Sequence, residues 1–187
     1  MSNALAIDLK EDIWTYEDYL KLPNDGKTYQ IIGGNLFITA APVVYHQAIS
    51  RNLAFIIWKF IKEHDMGEMF NAPIDIVFSS VNVVQPDIIY ISKERLDIKK
   101  EKAIHGATDL VIEILSPTTM EIDVLFKKRL YQRFGVREYW MIDPKEKKVE
   151  VYFLEGGKYE AKGIFFQHDV VEVRMIQGLR VNLDEVF

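Results

Sequence analysis

Hydrophobic and polar positions change period several times along this chain, and each change marks an element. Residues 14–20 (Trp14-Thr15-Tyr16-Glu17-Asp18-Tyr19-Leu20) predict a short helix with Thr15 as its cap. Pro23-Asn24-Asp25-Gly26 is a turn signal. Residues 29–32 and 35–39 read as two strands around Gly33-Gly34, the signature of a hairpin. Over residues 44–63, Ile49, Leu53, Ile56, Ile57, Phe60 and Ile61 recur at helical spacing and predict the first long helix. Residues 69–78 and 82–92 predict two strands; Pro73 interrupts the first, and the second begins or bends at Pro86.

A third strand is predicted by the apolar run Asp109-Leu110-Val111-Ile112-Glu113-Ile114-Leu115. Ser116-Pro117-Thr118-Thr119 ends it and opens a helix, with Thr118 and Glu121 at capping-box spacing and Gly135 as the stop. Residues 136–143 are the next strand, and strand, helix, strand implies a right-handed parallel crossover. Residues 148–154 and 158–162 form a hairpin across Gly156-Gly157, and residues 170–175 and 179–183 add strands that complete the sheet. The pattern predicts one α/β domain over residues 1–187, a mixed β-sheet flanked by helices.

Composition narrows the chemistry. With 49% hydrophobic residues, 187 residues suffice for a well-developed core. The chain has no cysteine, which removes disulfides, thiolate catalysis and Cys-based zinc sites. The four histidines lack zinc-ligand spacing. No apolar stretch approaches the roughly 20 residues that span a bilayer. No signal-peptide pattern is visible, so the expectation is a cytoplasmic protein without a membrane. A net charge of −5 argues against broad basic gripping of nucleic acid but leaves room for a cleft with local positive charge.

Two acids stand out. Asp87 follows Pro86 at the head of an apolar run, and Glu113 sits inside another. A buried carboxylate is costly unless it is paired or binds a metal. Strand alternation puts Val111, Glu113 and Leu115 on one face and Leu110, Ile112 and Ile114 on the other. Asp123, Lys127 and Tyr131 follow at four-residue steps, so they share one face of an α-helix. If that helix packs over the sheet, Lys127 reaches the acids, and a magnesium site for phosphodiester cleavage results. The plainer alternatives are a paired structural acid at Glu113 and a surface ion pair between Asp123 and Lys127. Asp109 and Asp143 read as turn or cap residues.

Several segments together resemble a known family. Gln85-Pro86-Asp87, the strand bearing Glu113 with Ser116-Pro117-Thr118-Thr119, Asp123 with Lys127 and Tyr131, and Gly135-Val136-Arg137-Glu138-Tyr139-Trp140-Met141-Ile142-Asp143-Pro144 occur in that order. The chain resembles the Uma-two family of restriction endonucleases, within the PD-(D/E)XK nuclease superfamily. The resemblance implies a restriction-endonuclease-like core, a Mg2+ or Mn2+ ion and DNA as substrate. It implies that Asp87 and Glu113 hold the metal and that Lys127 completes the catalytic set. The superfamily lysine would fall at Leu115; here Lys127 on the next helix takes its place. Where the family carries a glutamate, this chain has Gln30, an amide able to coordinate through its carbonyl oxygen or to hold a water. His46 matches a family histidine, and Asp123 and Tyr131 are expected to orient Lys127. A homodimer is expected by analogy with nucleases that cut both strands.

Two rivals follow from the same residues. Gln30 and the negative charge favour a nuclease fold that no longer cuts and binds nucleic acid or a protein partner instead. Two carboxylates also suit a glycosidase, although such an enzyme has no need of Lys127.

Overall fold

In a computed structural model, the described residues are 6–8, 13–39, 42–116 and 122–187. The strands are β1 (Ala6–Asp8), β2 (Thr28–Ile32), β3 (Asn35–Thr39), β4 (Gly67–Asn71), β5 (Ile76–Ser79), β6 (Asn82–Val84) and β7 (Ile88–Ser92). They continue with β8 (Ile104–His105), β9 (Leu110–Ile114), β10 (Glu138–Asp143), β11 (Lys148–Glu155), β12 (Lys158–Phe166), β13 (Val170–Glu172) and β14 (Arg180–Asn182). The α-helices are α1 (Tyr16–Tyr19), α2 (Val44–His64) and α3 (Lys128–Phe134). No helix among the described residues is long and apolar enough to cross a membrane.

Two six-stranded sheets carry the fold, one ordered β12-β11-β10-β9-β7-β4 and the other β1-β3-β2-β6-β5-β8. In the first, β9 and β10 run parallel, as the predicted crossover requires, and the other pairs are antiparallel. Alternation along β9 divides the core. Leu110, Ile112 and Ile114 pack with Ile49, Leu53, Ile57 and Ile61 of α2. Val111 and Leu115 face the other way, onto Leu130 and Tyr131 of α3 and onto Ile32, Phe37 and Val84 of the second sheet. The first sheet is thus covered on both faces, which is why its central strands read as nearly continuous apolar runs.

Helix α1 begins where expected, with Thr15 and Asp18 forming a reciprocal capping box. Helix α2 ends at Asp65 in the left-handed conformation. Gly67 follows with φ 142°, where any side chain would run into the Ile91 carbonyl. Gly135 closes α3 in the left-handed region, as its position foretold.

The two proline-bearing stretches differ from expectation. Residues 69–78 are not one strand, nor are residues 82–92. Strands β4 and β7 pair in the first sheet, whereas β5 and β6, which lie between them in the chain, pair in the second. The four make one long hairpin, bent between sheets at the cis Ala72-Pro73 bond on one arm and at Gln85-Pro86-Asp87 on the other. Proline cannot donate to a ladder, so each arm leaves its sheet where a proline stands. A second difference is at the C-terminus: β13 and β14 pair only with each other instead of completing a larger sheet. Their Val171 and Val181 still cover the α2 side of the core.

Candidate active site

The hairpin bend opens a cleft of about 410 Å³ lined by Gln30, His46, Asp87, Glu113 and Lys127, with Pro73 in its wall. Five sequence-selected residues from β2, α2, the bend, β9 and the turn before α3 therefore share one concave surface. Tyr131 lies directly behind it.

Asp87 is held by the sheet itself. The β7–β9 ladder runs out after Ile88 opposite Ile112. Beyond that point the Ile114 N–H donates to Asp87 Oδ2 at 2.7 Å, so the carboxylate takes the place a strand carbonyl would occupy. His46, in the first turn of α2, brings Nε2 to 3.3 Å from the same oxygen. It is a buried residue at a helix start, and its ring faces the acid.

Glu113 projects from the face of β9 that alternation predicts. Lys127 Nζ donates to Glu113 Oε1 at 2.9 Å, and both side chains are 3% exposed. The Tyr131 hydroxyl donates to the same oxygen at 2.5 Å. Tyr131 thus acts on Glu113 itself, at the oxygen that also accepts from Lys127. The local winding also differs: Ile122–Lys127 is π-helical and becomes α-helical only from Lys128. A π segment bonds i to i+5, so the even four-residue step predicted for Asp123, Lys127 and Tyr131 does not run through it. The side chain of Asp123 and the predicted cap at Thr118 and Glu121 lie outside the described residues.

Gln30 is buried, and its Oε1 accepts the Gln85 N–H at 3.0 Å. The carbonyl oxygen, named from the sequence as a possible metal ligand, is thus already engaged with the bend. Gln85 in turn donates through Nε2 to Asp75 Oδ1 at 2.7 Å and to the Tyr19 hydroxyl at 3.0 Å. Burial and the bond to Asp75 push the Tyr19 hydroxyl pKa up, so it remains a donor. Sequence reasoning missed this Tyr19–Asp75–Gln85 support. Its three members are ordinary polar residues far apart in the chain, and only the position of Gln85 beside Pro86 hinted at it.

Hard oxygen donors suit Mg2+ or Mn2+, which take one or two carboxylates and complete their shells with water and phosphate. Asp87 and Glu113 fit that requirement. No group of three or more acidic or histidine ligands forms among the described residues.

Mixed sheets flanked by helices, arranged in this order, are those of the restriction-endonuclease-like nuclease fold. A crystal structure of "a putative nuclease belonging to DUF820" from Anabaena variabilis shares this fold, with a TM-score of 0.77 and 24% identity over 92% of this chain and 97% of that one. The model of the Uma2 family, described as "Putative restriction endonuclease", matches residues 16–184, and the chain belongs to that family. No curated protein matches it.

Proposed function

We propose that the cleft hydrolyses phosphodiester bonds of DNA with a divalent cation, Mg2+ or Mn2+. One observation supports this above the others. Glu113 is buried with Lys127 and Tyr131 on one oxygen, yet it opens on the same cleft as Asp87. Asp87 and Glu113 would hold the ion. Once bound, it would neutralise phosphate charge and lower the pKa of a coordinated water.

The chain's own residues supply the rest. The Ile114 N–H and His46 fix Asp87 in one orientation before substrate arrives. Tyr131 fixes Glu113. Lys127 keeps an ammonium group at the carboxylate, where it orients the attacking water and stabilises charge on the phosphate oxygens.

Supercoiled plasmid incubated in Mn2+ with wild type, Asp87→Asn and Glu113→Gln tests the reading. Wild type should nick or linearise it and both variants should not. Cutting retained by both purified variants would remove the assignment. Gln30 and the net charge of −5 support a second reading, a nuclease-fold module that binds nucleic acid without turnover. Salt-sensitive DNA binding by wild type with no cutting in Mn2+ would favour it.

A further inference from the structure

We propose that Gln30 serves the cleft as a hydrogen-bond donor to an anionic phosphate oxygen of the substrate and not as a ligand of the cation. The inference rests on the phosphodiester reading of the site and assigns one of its residues a chemistry opposite to that of a carboxylate.

The argument starts from the bend. The Gln85 N–H points at the Gln30 side chain, and only an acceptor can face it. This fixes the amide: Oε1 lies toward Gln85, and a flipped amide would set N–H against N–H. The constraint is stiff, because Gln85 is itself held by Asp75 and Tyr19, and the Tyr19 hydroxyl donates to Asp75 Oδ1 at 2.6 Å. Helix α1, the segment before β5 and the bend therefore agree on one orientation for Gln30.

What remains of the amide is its NH2 group. Gln30 is 2% exposed and lines the cleft. No acceptor among the described residues takes its Nε2 hydrogens. The NH2 group opens on the cleft, where an anionic oxygen of a ligand can take the place of water. Its positive end would repel a cation and would attract the oxygen of a bound phosphate. The cleft then has two kinds of wall: carboxylates of Asp87 and Glu113 for a cation, and the Gln30 amide with Lys127 for the phosphate.

Two variants of the full chain test this, with Mn2+ titrated by calorimetry and a short DNA duplex titrated in EDTA. Gln30→Met keeps the shape and removes the donor together with the Oε1 acceptor of the Gln85 N–H, so its effect is read beside Gln30→Glu, which keeps that acceptor. Gln30→Met should weaken duplex binding about tenfold and leave Mn2+ binding unchanged. Gln30→Glu keeps an acceptor for Gln85 and exchanges the NH2 for a second oxygen. It should bind Mn2+ at least about tenfold more tightly, or take up one more ion, while losing duplex affinity.

Unchanged duplex affinity in Gln30→Met would overturn the proposal, as would loss of Mn2+ binding in that variant. Near-UV circular dichroism confirms that each variant is folded. Glu113→Gln separates the two readings. If it abolishes Mn2+ binding while Gln30→Met leaves duplex affinity intact, the metal site stands and the role of Gln30 falls. If wild type binds no Mn2+ but duplex affinity drops in Gln30→Met, the donor role stands and the metal-dependent reading falls.

Discussion

Asp109 and Glu113 are buried carboxylates four positions apart, at the start and near the end of the same strand region, and they are built for different purposes. Asp109 is 1% exposed. Its Oδ1 accepts from Arg95 at 2.7 Å and from Arg137 at 2.8 Å, and its Oδ2 accepts the Ser92 N–H at 2.8 Å. Both oxygens are engaged, and Asp109 does not line the cleft. It is a clamp joining β7, β9 and β10, more than the turn residue its sequence position suggests. Glu113 instead gathers Lys127 and Tyr131 on one oxygen and borders the cleft. Burial alone therefore does not identify a functional acid. What distinguishes one is access to a concave surface shared with further polar side chains.

The largest expected effect comes from breaking the Glu113 cluster outright. Glu113→Ala takes the carboxylate from a lysine that is 3% exposed, and loss of one partner of such a pair costs about 3–5 kcal/mol. Chemical denaturation should show this loss together with loss of cutting. Glu113→Gln keeps an oxygen for Lys127 and Tyr131 but removes the charge, so it should lose less stability than Glu113→Ala while cutting falls by about 10²-fold or more. Equal stability of the two variants would mean that the loss comes from the charge and that the hydrogen bonds a retained oxygen could accept from Lys127 and Tyr131 add little.

Asp109→Asn should do the reverse. Arg95 and Arg137 are 25% and 54% exposed, so water screens part of the lost attraction. A cost of about 2 kcal/mol is expected, below that of a fully buried pair. For a chain of this size it appears as a melting temperature lower by about 4–8 °C. Cutting per folded molecule should be unchanged. A large loss of activity would show that the clamp controls the cleft through β9 and would erase the contrast with Glu113.

Tyr131→Phe sharpens the comparison at smaller scale. It removes one donor from Glu113 Oε1 and leaves Lys127 in place. The expected cost is about 1 kcal/mol in stability and about tenfold in cutting, as for a residue that positions a metal-binding group. Normal activity would restrict Tyr131 to packing.

Much of this was legible in the sequence, and what was not has physical causes. The period-two pattern of β9 placed Glu113 on the correct face, and the Pro86-Asp87 pair marked the point where a strand must bend. The helix α2, the first hairpin and the parallel β9–β10 pair follow from spacing, glycines and caps. The division of two predicted strands between two sheets was hidden, because a local pattern does not say which sheet a strand joins. The π winding before Lys127 was hidden for a similar reason: the i to i+4 pattern of side chains there is that of an ordinary helix. The orientation of Gln30 depends on Tyr19 and Asp75, contacts made only after the chain has folded.

The smallest predicted effect concerns a third buried acid. Glu138 Oε1 accepts from Trp140 Nε1 at 2.7 Å, and Oε2 accepts the Met175 N–H at 2.8 Å. Burial dominates and raises its pKa above the ordinary 4.5, with the hydrogen bonds from Met175 and Trp140 opposing that rise. Its folded pKa therefore lies above its unfolded one. The stabilisation associated with its proton is fully present below about pH 4.5 and is lost as pH rises through the folded value. Glu138 makes no ion pair at hydrogen-bonding distance among the described residues, and the nearby Arg174 charge only partly opposes the effect of burial. Denaturation midpoints measured from pH 4.5 to 7.5 should contain a falling component in wild type that is absent from Glu138→Gln. The same component persisting in the variant would assign it to another group and would make Glu138 a charge that the fold tolerates at no cost.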